Sequence, residues 1–266
     1  MTTEHARPLA VVTGGSNGIG YELARQFLEN GHDVLIAAED AGHLADAAER
    51  LSPSGGQVLQ HAADLSTEAG VISLYEAIRS AGRPADAVCL NAGVGLGGPF
   101  AETDMQRELK MIDLNVRGAV QLTKLVLKDM IARGRGKLLF TSSVEAAMPD
   151  PFEAVYGSTK VFLRWFGESL RSELKDTGVS VTVLMPGVTE TNFFNRAEML
   201  DTKAGATKNK DDPAMVASKA IEALQAGKDK VTPTGKNKLM SAIGEALPEP
   251  VAAAMHRPFA KPGSAS

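Results

Sequence analysis

Thr13-Gly14-Gly15-Ser16-Asn17-Gly18-Ile19-Gly20 stands between a short apolar run, Leu9–Thr13, and a stretch in which Leu23, Phe27 and Leu28 recur at helical spacing. A strand that ends in glycines and reopens as a helix is a turn with a chemical use. Glycine is needed where the chain bends sharply, where backbone approaches a pyrophosphate, and where helix and strand pack closely. The helix start beyond the loop offers unpaired N–H groups and a partial positive charge to a phosphate. Glycine-rich turns of this kind also occur without a ligand. Here the loop follows the first strand and opens a βαβ unit, the setting that dinucleotide binding requires.

The same alternation runs outward from the loop. Apolar runs at 34–38, 87–90, 137–141 and 179–185, with a weaker one at 58–63, read as strands. Helical periodicity covers 21–29, 44–51, 67–80, 155–175 and 214–226, and also 103–133 with a break near 115–118. Strands that are apolar throughout, rather than on alternate residues, belong to a parallel sheet covered on both faces. The right-handed crossover rule then gives an α/β doubly wound parallel sheet, a three-layer αβα Rossmann fold. We expect one dinucleotide-binding domain over 1–266. It carries a polar, lid-like segment at 192–212, a helical C-terminal extension at 236–266 and a tail that frays from Lys261.

Composition narrows the function classes. The 266 residues are 44% hydrophobic and 23% charged, with 28 basic and 32 acidic side chains and a formal net charge of −4. That is the make-up of a globular protein, with no electrostatic reason to bind nucleic acid or an anionic membrane. Residues 1–8 lack a signal-peptide pattern, and no window reaches the roughly 18 apolar residues of a membrane span. A lone cysteine, Cys89, has no internal disulfide partner and points to a reducing, cytoplasmic setting. His5, His32, His43, His61 and His256 are scattered without ligand spacing, so we expect no metal site and read them as solvated or structural.

Thr13-Gly14-(x)3-Gly18-x-Gly20 resembles the cofactor loop of the short-chain dehydrogenase/reductase family, in its single-domain branch. Further segments resemble that family in register, and the likeness runs from Leu9 to Thr191. By this resemblance Thr13, Gly14, Ser16, Asn17, Gly18, Ile19 and Gly20 cradle the phosphates of a nicotinamide cofactor. Asp64-Leu65 would meet the adenine, and Asn91-Ala92-Gly93 would support the sheet beneath the cofactor. Pro186, Gly187, Thr189 and Thr191 would hold the nicotinamide carboxamide and phosphates. Taken alone, Asp64 equally reads as a helix cap, Asn91 as a turn residue and Pro186-Gly187 as a β-turn.

Tyr156 and Lys160 are four apart in a helical stretch and share a face. An unperturbed phenol, with pKa of about 10, is a poor base near neutrality, and a nearby ammonium favours its phenolate. The family resemblance makes Tyr156 the proton donor and acceptor and ties Lys160 to the cofactor ribose. It makes Ser143, which precedes Tyr156 by 156 − 143 = 13 residues, the partner of the substrate oxygen, in preference to Ser142. It makes Asn115 the residue that kinks its helix and holds a water for the lysine.

The implied activity is NAD(P)-dependent interconversion of a secondary alcohol and a ketone, or a related carbonyl pair, on a small-molecule substrate. The alternatives are a lyase or epimerase using the same tyrosine, and a non-catalytic dinucleotide sensor. NAD(H) is favoured over NADP(H), because Glu39 and Asp40 follow the second strand and no basic residue is in view to meet a 2′-phosphate. Two departures from the family stand out. Val144-Glu145-Ala146 replaces the usual glycine-containing stretch, leaving Glu145 either aimed at substrate or solvated. The C-terminal region lacks the family's glycine-rich tail, which puts a tetramer in doubt and leaves a homodimer, through the helices around Thr123 and Trp165, as the expectation. Phe152, Phe193 and Phe194 flank the expected cleft.

Overall fold

The computed structural model describes residues 7–265. Expectations about residues 1–6, His5 among them, and about Ser266 lie outside the described residues. Seven parallel strands form one sheet in the order β3-β2-β1-β4-β5-β6-β7. They are β1 Leu9–Thr13, β2 Asp33–Ala38, β3 Val58–Ala62, β4 Ala85–Leu90, β5 Gly136–Thr141, β6 Val179–Leu184 and the short β7 Lys230–Val231. The chain builds outward from β1 to β3, crosses back, and builds the other way from β4. The strands on either side of that reversal, β1 and β4, therefore part their following loops and open a crevice at their carboxyl ends.

Apolar strands make a sheet that must be covered twice. On one face, α3 Glu68–Ser80, α5 Ala119–Ala132 and α6 Ala154–Glu173 pack on Leu9, Val11, Val88, Leu138 and Phe140. On the other, α1 Gly18–Glu29, α2 Ala41–Leu51 and α9 Pro213–Gln225 pack on Ala10, Val12, Ile36 and Leu139. Successive residues of β1 thus serve opposite cores, which is why that strand reads as a continuous apolar run. The break expected near 115–118 is a π-helical turn over Asp113–Gly118, joining α4 Met105–Ile112 to α5. Its Gly118 sits where a Cβ would come 2.1 Å from the Leu65 carbonyl oxygen.

The chain beyond β6 is more ordered than its polar sequence suggests. The 192–212 segment contains two one-turn helices, α7 Phe193–Arg196 and α8 Lys203–Ala206, around a small core of Phe194, Ala197, Met199 and Ala204. The C-terminal extension forms α10 Gly235–Ala246 and α11 Glu249–Ala260. Residues 261–265, expected to fray, are docked. Asp201 accepts hydrogen bonds from the Gly263 and Ala265 N–H groups, and the Ser264 hydroxyl accepts from the Lys203 N–H. Burial among apolar neighbours pushes the Cys89 thiol up, away from its reactive form. No helix among the described residues is long and apolar enough to cross a membrane.

Candidate active site

A cleft of about 390 Å³ opens at the carboxyl ends of β1 and β4. Its floor is the glycine loop. Gly14 and Gly18 have φ of +66° and +55°, the left-handed region that favours glycine, and a Cβ on Gly18 would lie 2.8 Å from the Thr191 methyl. At Gly20 a Cβ would lie 2.1 Å from the Gly14 carbonyl oxygen, so this glycine is demanded by the fold itself. Asp40, Thr67 and Asp104 cap α2, α3 and α4 with their side chains, whereas Asn17 does not cap α1 and no acidic residue sits in its first turn. The start of α1 is therefore left for an anion from outside the chain.

The residues the sequence brought forward for the cofactor line this one cleft, with one exception. Gly14, Ser16, Asn17, Gly18, Ile19 and Gly20 form one end. Glu39, Asp64 and Leu65 form the far wall, and Ala92 and Gly93 the middle. Pro186, Gly187, Thr189 and Thr191 close the opposite side. The exception is Thr13, which is buried beneath. Its hydroxyl donates to the Cys89 carbonyl at 3.1 Å and accepts from the Asn91 and Ala92 N–H groups, pinning β1 to the end of β4. Asn91 continues that brace: its amide donates to the Thr13 carbonyl at 3.1 Å and its oxygen accepts from the Thr141 hydroxyl at 3.1 Å. The donor set at the loop and the wall of carboxylates fit a dinucleotide, with phosphates toward α1 and an adenosine toward Glu39 and Asp64.

The reading that no cation stands near the adenosine end needs correcting. Lys110, on α4, places its ammonium 2.8 Å from Glu39 and 3.6 Å from Asp64. It lies 71 residues from Glu39, and only the packing of α4 against α6 brings them together. Burial works against the Asp64 carboxylate, but hydrogen bonds from Ser66 and the charge of Lys110 hold it below its ordinary range.

The chemical end of the cleft is built by β5, the loop after it, and α6. Tyr156, Lys160 and Ser143 all face it and all are buried. Ser142 does not compete, since its hydroxyl donates to the Lys160 carbonyl at 2.7 Å. The Lys160 ammonium donates to the Thr141 carbonyl at 3.0 Å and lies 5.5 Å from the Tyr156 ring centre. Asn115, in the π-helical turn, is wholly buried. It donates to the Val94 carbonyl and the Thr159 hydroxyl and accepts from the Val94 N–H. A Cβ on Gly93 would lie 3.2 Å from both the Asn115 oxygen and the Lys160 ammonium, so those two groups face each other across a bare glycine. Asn115 thus anchors the strand-end loop beside the lysine rather than lining the cleft.

Electrostatics here run against the expectation for the tyrosine. Burial, reinforced by Glu145, Glu153 and Asp150, pushes the Tyr156 hydroxyl well above its ordinary value, opposed by a hydrogen bond with Ser143. The lysine does not reverse this, because burial also lowers Lys160, to about 8, against the pull of Glu145. Desolvation is the largest influence on both groups. Tyr156 is thereby held as a neutral acid.

Arg196 was not legible in the sequence as a site residue, whereas Glu145, Phe193 and Phe194, brought forward there, do line the cleft. Arg196 of α7 lines the cleft and points a guanidinium nitrogen at the Asn17 amide oxygen, 3.5 Å away. Phe193 packs on Tyr156 with ring centres 5.2 Å apart, and Phe194 lines the same wall. Phe152 does not line the cleft; its φ is +72° and Arg257 of α11 stacks on its outer face. Glu145 is not a solvated carboxylate either. Half-buried, it accepts from the Ser143 hydroxyl at 3.0 Å, while Ser143 accepts from the Glu145 N–H at 3.2 Å.

Comparison with known proteins agrees with this geometry. The family model described as short chain dehydrogenase matches residues 8–200. The chain belongs to that family. It is 32% identical over 202 residues to the NADP-dependent 3-hydroxy acid dehydrogenase YdfG of Salmonella typhi, covering 75% of this chain and 80% of that one. It is 27% identical over 263 residues to the ketoacyl reductase HetN of a Nostoc species, covering 94% and 88%. Its fold matches that of a short chain dehydrogenase/reductase from Burkholderia phymatum solved in complex with NAD. That match has a TM-score of 0.81 and 21% identity, and covers 91% of this chain and 94% of the other. This short chain dehydrogenase is accordingly an NAD(P)-dependent oxidoreductase of carbonyl and alcohol groups. Its relatives include proteins named for NADP and a neighbour that holds NAD.

Proposed function

We propose that the enzyme interconverts a ketone and a secondary alcohol, with Tyr156 as the proton-transferring group and NAD(H) as the favoured dinucleotide. The observation that carries the reading is Tyr156, Ser143 and Lys160 facing one cleft whose other end is an uncapped helix start behind a glycine loop. When bound, the nicotinamide supplies or accepts the hydride. The chain's own residues do the rest. Ser143 holds the substrate oxygen, and the neutral Tyr156 hydroxyl gives it a proton as negative charge develops there. Lys160, with one hydrogen bond already made to Thr141, turns its remaining donors toward the ribose side of the cleft. Asn115 fixes the loop that carries Gly93 and Val94. Phe193 and Phe194 exclude water from the reacting face and favour an apolar substrate body.

The preference for NAD rests on Glu39, which offers a carboxylate acceptor for ribose hydroxyls and repels a 2′-phosphate. Lys110 tempers this repulsion without supplying a free cation, because it is shared between Glu39 and Asp64. We further propose that residues 192–212 act as a lid and that the enzyme works as a homodimer in the cytoplasm. The test of the activity is a near-ultraviolet absorbance screen of NADH and NADPH oxidation across a panel of aliphatic, cyclic and aromatic ketones, with the matching alcohols in reverse. Turnover of at least one pair is expected. No turnover with any of them by folded protein that binds the cofactor overturns the reading.

A further inference from the structure

Behind Ser143 lies a group of ionisable side chains that the proposed reaction does not use. Carboxyl oxygens of Glu145, Asp150 and Glu153 lie within 4.8 Å of one another. Asp150 and Glu153 are buried, and His256 of α11 closes the group with its ring nitrogen 3.1 Å from Asp150. The C-terminal extension braces this arrangement. A Cβ on Gly244 of α10 would lie 3.0 Å from the Ala147 carbonyl. Arg164 of α6 bonds the Ala146 carbonyl while its charge is met by Glu168 and Glu245. Of the three carboxylates, Glu145 is the one that reaches the cleft.

We propose that Glu145 is a positioning residue that decides whether Ser143 can donate a hydrogen bond to a substrate carbonyl. The proposal rests on the ketone–alcohol reading above and adds a control to it. It follows from counting the hydrogen bonds of one hydroxyl. Ser143 has one proton to give and two lone pairs, and one lone pair already takes the Glu145 N–H. With Glu145 ionised, the Ser143 proton is given to the carboxylate, and only a lone pair, the one the Tyr156 hydroxyl meets until it turns to a substrate oxygen, is left to face the cleft. A carbonyl oxygen then meets an acceptor. With Glu145 protonated, its acid O–H donates into the second Ser143 lone pair, and the Ser143 proton is free for the carbonyl.

The surroundings place this change in the working range. Burial and the neighbouring Asp150 raise the Glu145 carboxyl to about 7, while His256, Ser143 and Lys160 act in the opposite direction. The ionisable groups facing Glu145 are Asp150 and Glu153 from the loop leading into α6, Tyr156 and Lys160 from α6 itself, and His256 from α11; of these, Asp150, His256 and Lys160 act on its carboxyl, which in turn raises Glu153 and Tyr156. Against the pull of burial, Asp150 and Glu145 raise His256, so a cation is retained beside the carboxylates. Burial, with two acids beside it, pushes the Glu153 carboxyl well above its ordinary range.

The experiment has two arms. In the first, protein labelled with carbon-13 at glutamate side-chain carboxyls is titrated by NMR from pH 5 to 9. One resonance with a midpoint near 7 is expected, absent in Glu145→Gln and displaced in Ser143→Ala. A Glu145 signal that titrates near pH 4.5, or is untouched by Ser143→Ala, overturns the proposal. This arm needs no substrate, so it decides the matter even if no ketone is turned over, the outcome that would instead sink the oxidoreductase reading. In the second arm, kcat/KM for NADH-driven reduction of 2,3-butanedione, or of the best ketone from the panel, is followed over the same range. The wild type should lose about tenfold per pH unit above 7. Glu145→Gln cannot titrate, so the limb left in its profile should be that of Lys160, which loses the pull of Glu145 and is followed separately by carbon-13 NMR of its side chain. A merely structural role for Glu145 would change the height of the profile and leave its shape intact. A limb near 7 in Glu145→Gln that does not follow the Lys160 resonance refutes the proposal.

Discussion

Replacing Glu39 by arginine should move the enzyme from NAD toward NADP, and the size of the move follows from the geometry at the end of β2. Glu39 is well exposed, so a charge about 5 Å away acts through water. The repulsion is then roughly 0.8 kcal/mol per unit charge, or about 1.5 kcal/mol for a doubly charged phosphate. Lys110, 2.8 Å from Glu39, cancels part of it. In Glu39→Arg the repulsion vanishes and a charge-assisted hydrogen bond worth about 1.5–3 kcal/mol becomes available. The sum, about 2.5–4 kcal/mol, is a change of roughly 10² to 10³ in the ratio of kcat/KM values for the two cofactors. The assay is steady-state turnover with NADH and NADPH at a fixed ketone concentration, with dissociation constants from isothermal titration calorimetry. Lys110→Met gives the internal control: freeing Glu39 of its counter-charge should sharpen the wild-type preference for NAD severalfold. A wild type that prefers NADP refutes the reasoning. So does a Glu39→Arg ratio that moves less than about threefold.

Other expectations follow from the same structure. Tyr156→Phe keeps the ring packed on Phe193 and removes the proton, so kcat should fall by about 10²–10⁴ with dinucleotide affinity nearly unchanged, as stopped-flow turnover and calorimetry would show. Lys160→Ala should lower both kcat and cofactor affinity; loss of only one would separate its two roles. Hydrogen exchange of residues 192–212 should slow on adding cofactor, because Arg196 and Thr191 face the phosphate loop, and equal exchange in both states would mean a permanently packed segment. The His32 ring, 3.8 Å away, and the charge of Lys137 lower Asp86 to about 2. Its proton therefore binds more readily to the unfolded chain. The stabilisation is present above the ordinary carboxylate range and is lost as pH falls toward 2. Asp86→Asn should cost about 1–2 kcal/mol at pH 7 and almost nothing at pH 2, read from urea midpoints.

Much of this molecule could be read in one dimension. Leu9–Thr13, with every residue buried, and the loop after it announce a parallel sheet, because both faces of such a strand must be apolar. The break in helical periodicity near Asn115 marks the π-helical turn, and the four-residue spacing of Tyr156 and Lys160 places both on one helix face. Such features are local: backbone geometry converts spacing along the chain directly into direction in space. What residues meet across the fold is not local. Lys110 approaches Glu39 only because α4 packs against α6, and His256 reaches Asp150 only because the C-terminal helices fold back over the loop after β5. The raised Tyr156 hydroxyl and the Glu145 carboxyl bound to Ser143 belong to the same class. Their proton affinities are set by how much water the assembled protein excludes and which charges it gathers, quantities that no single stretch of sequence contains.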